Sequence, residues 1–476
     1  MDVIIIGAGA AGLAAAGRLC AEGLEVAVLE ARDRIGGRVA TVHERGYPVE
    51  SGAEFAHGTA APLWRVLEAA GIRAEEIDGE HVLAAHGRLE PAEALWSQQQ
   101  EILEALAGQP GSVADFLELP SSKVRWSHEA RAMAAGYVEG FHAAPVERAS
   151  AAGIGHAERA SAAEEGYRSF RFVDGYDRVM QALADRVGGR LRLGAVVSEV
   201  RWARGQVEVL TRERPGSRAR SWQAERAVIT LPIGVLQAPA GAEGAVRFAP
   251  ALPARTHEAL EGLSMGPVVK VALAFDRAFF HEPRDPHESR DPHESRDPRV
   301  PHDPRGRALR EVAFLHVPGA PFAVFWTLWP LDVPVLVGWA AGPAAAALTG
   351  RGERAIVDEA LDTLARARHG PCRPRRALRG ALGVRLGVGP LRAGRVRVHP
   401  RRRGGRVRGA GDARGRHALL RGRGHRRRAD RHRPWRDPER RAGSGRDPPE
   451  PAPTGLRAIA AAIARRRPRP RRPPRR

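Results

Sequence analysis

The chain has 476 residues, enough for two or three domains, and a formal net charge of +21 that is unevenly spread. From Pro371 to Arg476 there are 35 arginines against 6 acidic residues, no lysine, and one aromatic residue, Trp435, whereas the first 370 residues hold more acid than base. Two distant cysteines, Cys20 and Cys372, exclude a disulfide framework and a cysteine zinc cluster, and no run reaches the roughly 20 apolar residues of a membrane span.

In chain order, Val3–Ile6 is a short β-branched run, a buried strand by type. Ala10–Cys20 is alanine-rich and helical, and Glu25–Glu30 ("EVAVLE") is a second strand. A signal peptide would need a basic start, which is missing. Between strand and helix, "GAGAAG" spaces Gly7, Gly9 and Gly12 as a dinucleotide site requires: a tight turn, room for a pyrophosphate, and close helix–strand packing. The helix N-terminus then faces the phosphates with unpaired N–H groups. Glu30 stands where a carboxylate accepts from ribose hydroxyls, and an acid there argues against a 2′-phosphate.

Ala61–Ala70 and Pro91–Ala107 are predicted helices, and the chain to about Ala163 is mostly helix-forming. Arg190–Leu210 alternates like paired strands. Ala227–Leu231 is a buried strand stopped by Pro232; Val268–Phe275 and Pro334–Ala340 are further strands, and Glu353–Ala367 is a helix. "RDPHES" repeats at Arg284–Ser289 and Arg290–Ser295. Its His, Asp and Glu residues imply no fixed ligand geometry, so it reads as a charged surface loop and no metal is expected. Two residues stay open on pattern alone. Lys270, amid an apolar strand, either snorkels to solvent or is held buried for chemistry. His57 is either a surface histidine or a site group.

Directly after Glu30, "ARDRIGGRVAT" carries Gly36, Gly37 and Arg38, followed by "VESGAEFAHG" (Val49–Gly58), "FVDGYDRVMQAL" (Phe172–Leu183), "LRLGAVVSEVRW" (Leu191–Trp202), "AVITLPIGVLQ" (Ala227–Gln237) and "GPVVKVALAFDRAFF" (Gly266–Phe280). This succession resembles the FAD-dependent amine oxidase family of monoamine and polyamine oxidases and flavin histone demethylases. The resemblance implies an α/β fold: a Rossmann-type FAD domain built from separated segments, with an inserted mixed α+β substrate domain. The expected segments are 1–80 and 171–245 for FAD, 81–170 (helical) and 246–368 (sheet, with a loop at 281–308) for substrate, and an Arg-rich tail at 369–476. It also implies roles. Gly36, Gly37 and Arg38 hold the flavin nucleotide; Gly52, Ala53, Glu54 and Phe55 pass beside the isoalloxazine ring; Val197 meets the adenine through its backbone. Lys270 holds a water near flavin N5, and His57 lies near the substrate amine. The implied activity is oxidation of an amine by noncovalent FAD and O₂ in a cytoplasmic enzyme. A desaturase or porphyrinogen oxidase sharing the FAD domain is the alternative within flavoenzymes.

The tail departs from this pattern. The family's closing flavin segment ("GEAT…GTVHGAI") is not found. Read one nucleotide later, however, "HALLRGRGHRRRADRHRPWRDPERRAGSG" (417–445) can encode "TLFFAGEATDAEPTGTVHGAIQSGARAA", and Leu386–Gly405 can encode "WASDPFARGAYAYIPVGG". A frameshift between about Ala365 and Gly380 is therefore expected, with impaired FAD binding in the chain as written. The rival is a basic nucleic-acid-binding arm, which would mix lysine with arginine and carry aromatics for stacking.

Overall fold

The computed structural model describes residues 1–44, 46–85, 88–91, 93–212, 219–276, 278, 312–367 and 378–386. All lie in the compact unit Met1–Pro400; the second unit, Arg401–Arg476, lies outside them, as do the "RDPHES" repeat and most of the segment expected to be out of frame.

The first 30 residues fold locally because every strand position is apolar. Val3–Ile6 and Val26–Leu29 are buried throughout and pair in parallel, with helix Ala10–Ala21 as the crossover. Two distant pieces complete this sheet: Arg226–Ile229 pairs in parallel with Val3–Ile6, and Leu191–Arg192 with Val26–Leu29. A second sheet, Val196–Ala203, Gln206–Arg212, Arg220–Ala224 and Arg247–Ala249, shares its core, which joins Ile4, Ile6 and Leu29 to Val197, Val209 and Trp222.

The large sheet has seven strands, ordered 378–386, 268–275, 335–341, 324–327, 312–316, 80–85 and 88–91. Strand Val268–Phe275 is close to continuously apolar because both faces are covered. Its odd positions, Val269, Val271, Leu273 and Phe275, pack with helix Glu353–Ala367, while Ala272 and Ala274 pack with Val49, Trp326 and Val337. The period of two puts Lys270 on the latter face. Helices Glu93–Ala105, Val113–Glu118, His128–Phe141 and Ala151–Ala163 enclose a separate core around Ile102, Leu106, Val138 and Trp126.

Three expectations are corrected. Pro91 ends a strand and the helix begins at Glu93: proline is tolerated at a sheet edge, and Arg88–Pro91 is the edge strand. The segment 81–170, expected to be the mostly helix-forming part of the substrate domain, therefore opens with two strands of the large sheet. Leu378–Leu386, expected within the low-complexity tail, is a strand antiparallel to Val268–Phe275, a pairing made by backbone groups and so indifferent to arginine-rich composition. Among the described residues no helix is long and apolar enough to cross a membrane.

Candidate functional site

The glycines after the first strand have three different surroundings. Gly7 has φ +107°, and a Cβ there would meet Thr230 Oγ1 at 2.7 Å. A Cβ on Gly12 would sit 1.9 Å from the Gly7 carbonyl oxygen, so the helix can approach the strand only without one. Gly9 is the opposite case: a Cβ would find nothing nearer than the Gly37 Cα at 4.0 Å. The space in front of Gly9 is open, and Gly9 caps the helix with no side-chain acceptor on its first N–H groups. Such a terminus suits an anion.

Glu30 closes one side. Its carboxylate is 8 % exposed and accepts from Ala8 N–H at 2.8 Å and Arg32 N–H at 3.0 Å. A carboxylate has about four acceptor sites, so capacity remains for ribose hydroxyls. The Gly36–Gly37 turn is tied on by Gly36 N–H donating to Ala8 O at 2.9 Å. Arg32 and Arg34 donate to Gly37 O at 3.0 and 2.9 Å and brace this turn, a role pattern reading missed. Arg38 is exposed, and its carbonyl accepts from Ala53 N–H at 3.1 Å, linking the turn to the next stretch. Val197 is buried beside Leu29 and Ile6, and the register of its ladder with Gln206–Arg212 shifts between Val197 and Glu199. An open glycine, an uncapped helix and an acid with spare acceptors fit a dinucleotide.

Lys270 enters from the large sheet. Its Nζ donates to Gly52 O at 3.1 Å and to the Glu54 carboxylate, and lies 5.4 Å from the centre of the Trp326 ring. Glu54 also accepts from Arg171, whose Nε and Nη2 donate to Trp329 O at 2.9 Å and Thr327 O at 3.0 Å. Lys270, Glu54 and Arg171 are all buried. Burial pushes the Glu54 carboxyl up, but Lys270 and Arg171 outweigh it and hold it below the usual range. Burial lowers the Lys270 ammonium against the opposing pull of Glu54. Glu50, four residues before Glu54, accepts from Thr41 Oγ1–H at 2.7 Å and Tyr176 N–H at 2.8 Å without a cation of its own, and burial raises it to about 7.

His57 lies on strand Phe55–His57, paired with Ser169–Phe172. Its Nδ1 is 3.2 Å from Ser169 Oγ, and its ring meets Phe55 and Phe141 edge-on at 6.0 and 5.4 Å. His57 is exposed, as is Phe141 beside it, and the partial desolvation by these rings lowers its pKa and favours the neutral form. Phe55 in turn meets Trp326 at 5.4 Å, so aromatic rings run from Lys270 to His57. Pattern reading missed Arg171, Glu50 and Phe141, whereas Trp326 falls in "FWTLWPLD" (Phe325–Asp332), whose aromatics it assigns mostly to the core, with a few lining the amine channel. Arg171 alone left a signal: an arginine between Phe170 and Phe172 in a strand, like the lysine in Val268–Phe275.

A sequence profile described as "Flavin containing amine oxidoreductase" matches residues 10–413. Polyamine oxidase 3 of Oryza sativa subsp. japonica is 28 % identical over 308 residues, covering 59 % of this chain and 60 % of that protein. Polyamine oxidase 1 of the same species is 30 % identical over 329 residues, covering 60 % and 64 %. The chain thus spans less than two thirds of these relatives' length. A structure of wild-type putrescine oxidase bound to putrescine shares the fold, with a TM-score of 0.59 at 22 % identity over 81 % of this chain and 84 % of that one.

Proposed function

This chain belongs to the flavin containing amine oxidoreductase family, whose cofactor is FAD, and from that premise we propose that it oxidises an amine with noncovalent FAD and O₂. The observation that carries the reading is Lys270: a buried ammonium from one sheet, bonded to Gly52 and Glu54 in the stretch tied through Ala53 to the Arg38 turn.

When bound, FAD supplies the acceptor for a hydride equivalent from the carbon beside a neutral amine nitrogen, and O₂ then takes the electrons to give H₂O₂. The chain's own residues set the conditions. Gly9 and the uncapped helix receive the pyrophosphate, and Glu30 the ribose. Phe55 and Trp326 line the amine path, and desolvation beside them favours the uncharged amine. Neutral His57 offers a ring nitrogen to the amine without adding a like charge.

The test uses the purified full-length chain and, beside it, the chain with the "GEAT" frame restored, each supplied with FAD. Anaerobic titration with monoamines, diamines and polyamines is followed by flavin absorbance, and H₂O₂ is measured after air is admitted. Bleaching by an amine, with peroxide on reoxidation, is expected. Weak flavin uptake by the chain as written is the expected impairment; failure of the frame-restored chain to take up flavin, or bound flavin bleached only by a donor without nitrogen, overturns the reading.

A further inference from the structure

We propose that Glu54 and Arg171 are positioning residues that set the orientation and proton affinity of Lys270. This rests on the reading of Lys270 as a group at the flavin.

The geometry is a relay of fixed charges. Arg171 is anchored to two backbone carbonyls, Trp329 O and Thr327 O, at the end of strand Val324–Thr327. Its remaining Nη1 holds one oxygen of Glu54, and the other Glu54 oxygen holds Lys270. Lys270 is thereby denied the free rotation of a lysine stem. Two of its three N–H donors, toward Glu54 and Gly52 O, are used among the described residues, leaving the third direction set by the first two. The centre of the Trp326 ring lies 5.4 Å from Nζ, and its indole Nε1 is buried with no hydrogen-bond partner among the described residues.

The charges facing Lys270 come from three elements. Glu54 follows strand Tyr47–Glu50, Glu50 ends it, and Arg171 lies on Ser169–Phe172. Glu54 and Glu50 raise the hold of Lys270 on its proton, while burial and Arg171 weaken it. Without the carboxylates a buried Lys270 would give up its proton and hold no water by charge, and without Arg171 the carboxylates would hold that proton more firmly. The pair of opposite charges places Lys270 between these limits. Loss of the anion and loss of the second cation should therefore move the proton affinity of Lys270 in opposite senses.

That contrast is the test. The chain contains two lysines, Lys123 and Lys270, so lysine labelled with ¹³C at Cε gives two side-chain signals, assigned with Lys123→Arg. The titration of Lys270 is followed in the full-length chain, with and without FAD. Glu54→Gln should weaken its proton affinity at least about tenfold, and Arg171→Gln should strengthen it by a similar factor, as expected for charges at such range. If a single variant does not fold, Glu54→Gln/Arg171→Gln replaces it. There the nearer charge governs and the affinity still falls. An unchanged midpoint in these variants, or shifts of one sign in both single variants, overturns the proposal. Lys270→Met separates the two readings: wild-type flavin reduction and reoxidation in that variant would sink the role of Lys270 itself, whatever the titrations show.

Discussion

Lys270 lies on strand Val268–Phe275 and Glu54 in the segment between strands Tyr47–Glu50 and Phe55–His57, yet they share a hydrogen bond at side-chain exposures of 5 % and 2 %. Arg171 shares the same carboxylate at 4 % exposure. The two cations depend on one anion, so the three residues are not equivalent to mutation. Lys270→Met leaves Glu54 paired with Arg171, whereas Glu54→Gln strands two buried cations. Glu54→Gln should lose about 3–5 kcal/mol of stability and Lys270→Met clearly less. Urea denaturation of the two variants ranks them, and the reverse order would contradict this account of the cluster.

Glu50 makes stability depend on pH. Its folded-state pKa of about 7 lies above the ordinary 4.5, so the folded chain binds this proton more tightly than the unfolded one. The contribution is fully present below about pH 4.5 and is lost as pH rises through about 7, a swing on the order of 3 kcal/mol. Glu50→Gln should remove that slope and be more stable than the parent at pH 8. Melting temperatures across pH 4–9 decide it, and parallel curves for the two proteins would count against a neutral Glu50.

Gly9 and Gly12 separate cofactor binding from folding. A methyl at Gly9 enters open space at an ordinary backbone conformation, φ −78° and ψ −176°. Gly9→Ala should fold within about 0.5 kcal/mol of the parent and lose at least tenfold in FAD affinity. Gly12→Ala forces its Cβ against the Gly7 carbonyl, so it should lose several kcal/mol and the cofactor together. Calorimetry with and without FAD tells the two patterns apart.

His57 lies in the aromatic path rather than in the charged cluster. His57→Phe keeps the packing and removes the ring nitrogens. We expect KM for the amine to rise about tenfold, with a smaller fall in kcat. Steady-state kinetics on the best amine from the titration would refute this if kcat alone collapsed.

The arginine-rich tail has its own test. Resequencing the gene across the codons for Ile356–Gly380 from an independent template should show a base gained or lost, restoring the "GEAT" segment. If the written frame stands, salt-sensitive DNA binding by the full chain distinguishes a selected basic arm from a decayed oxidase.

Local pattern carried the first strand–helix–strand unit, because its strands, helix and glycines are neighbours in sequence and each is dictated by sterics over a few residues. It also marked Lys270, since a charge in an apolar strand is conspicuous wherever the strand ends up. Tertiary structure decided the partners. Arg171 lies 117 residues from Glu54, and Lys270 lies 216 from it, so nothing local says which carboxylate neutralises which cation. The same holds for Glu50, an unremarkable acid until Thr41, Tyr176 and the core close around it. Strands 80–85 and 378–386 were recruited by backbone pairing to sheet edges set elsewhere, a choice that leaves little trace in side-chain periodicity. Short-range sterics are written residue by residue, but Coulomb pairing and desolvation act through space and exist only after the chain has folded.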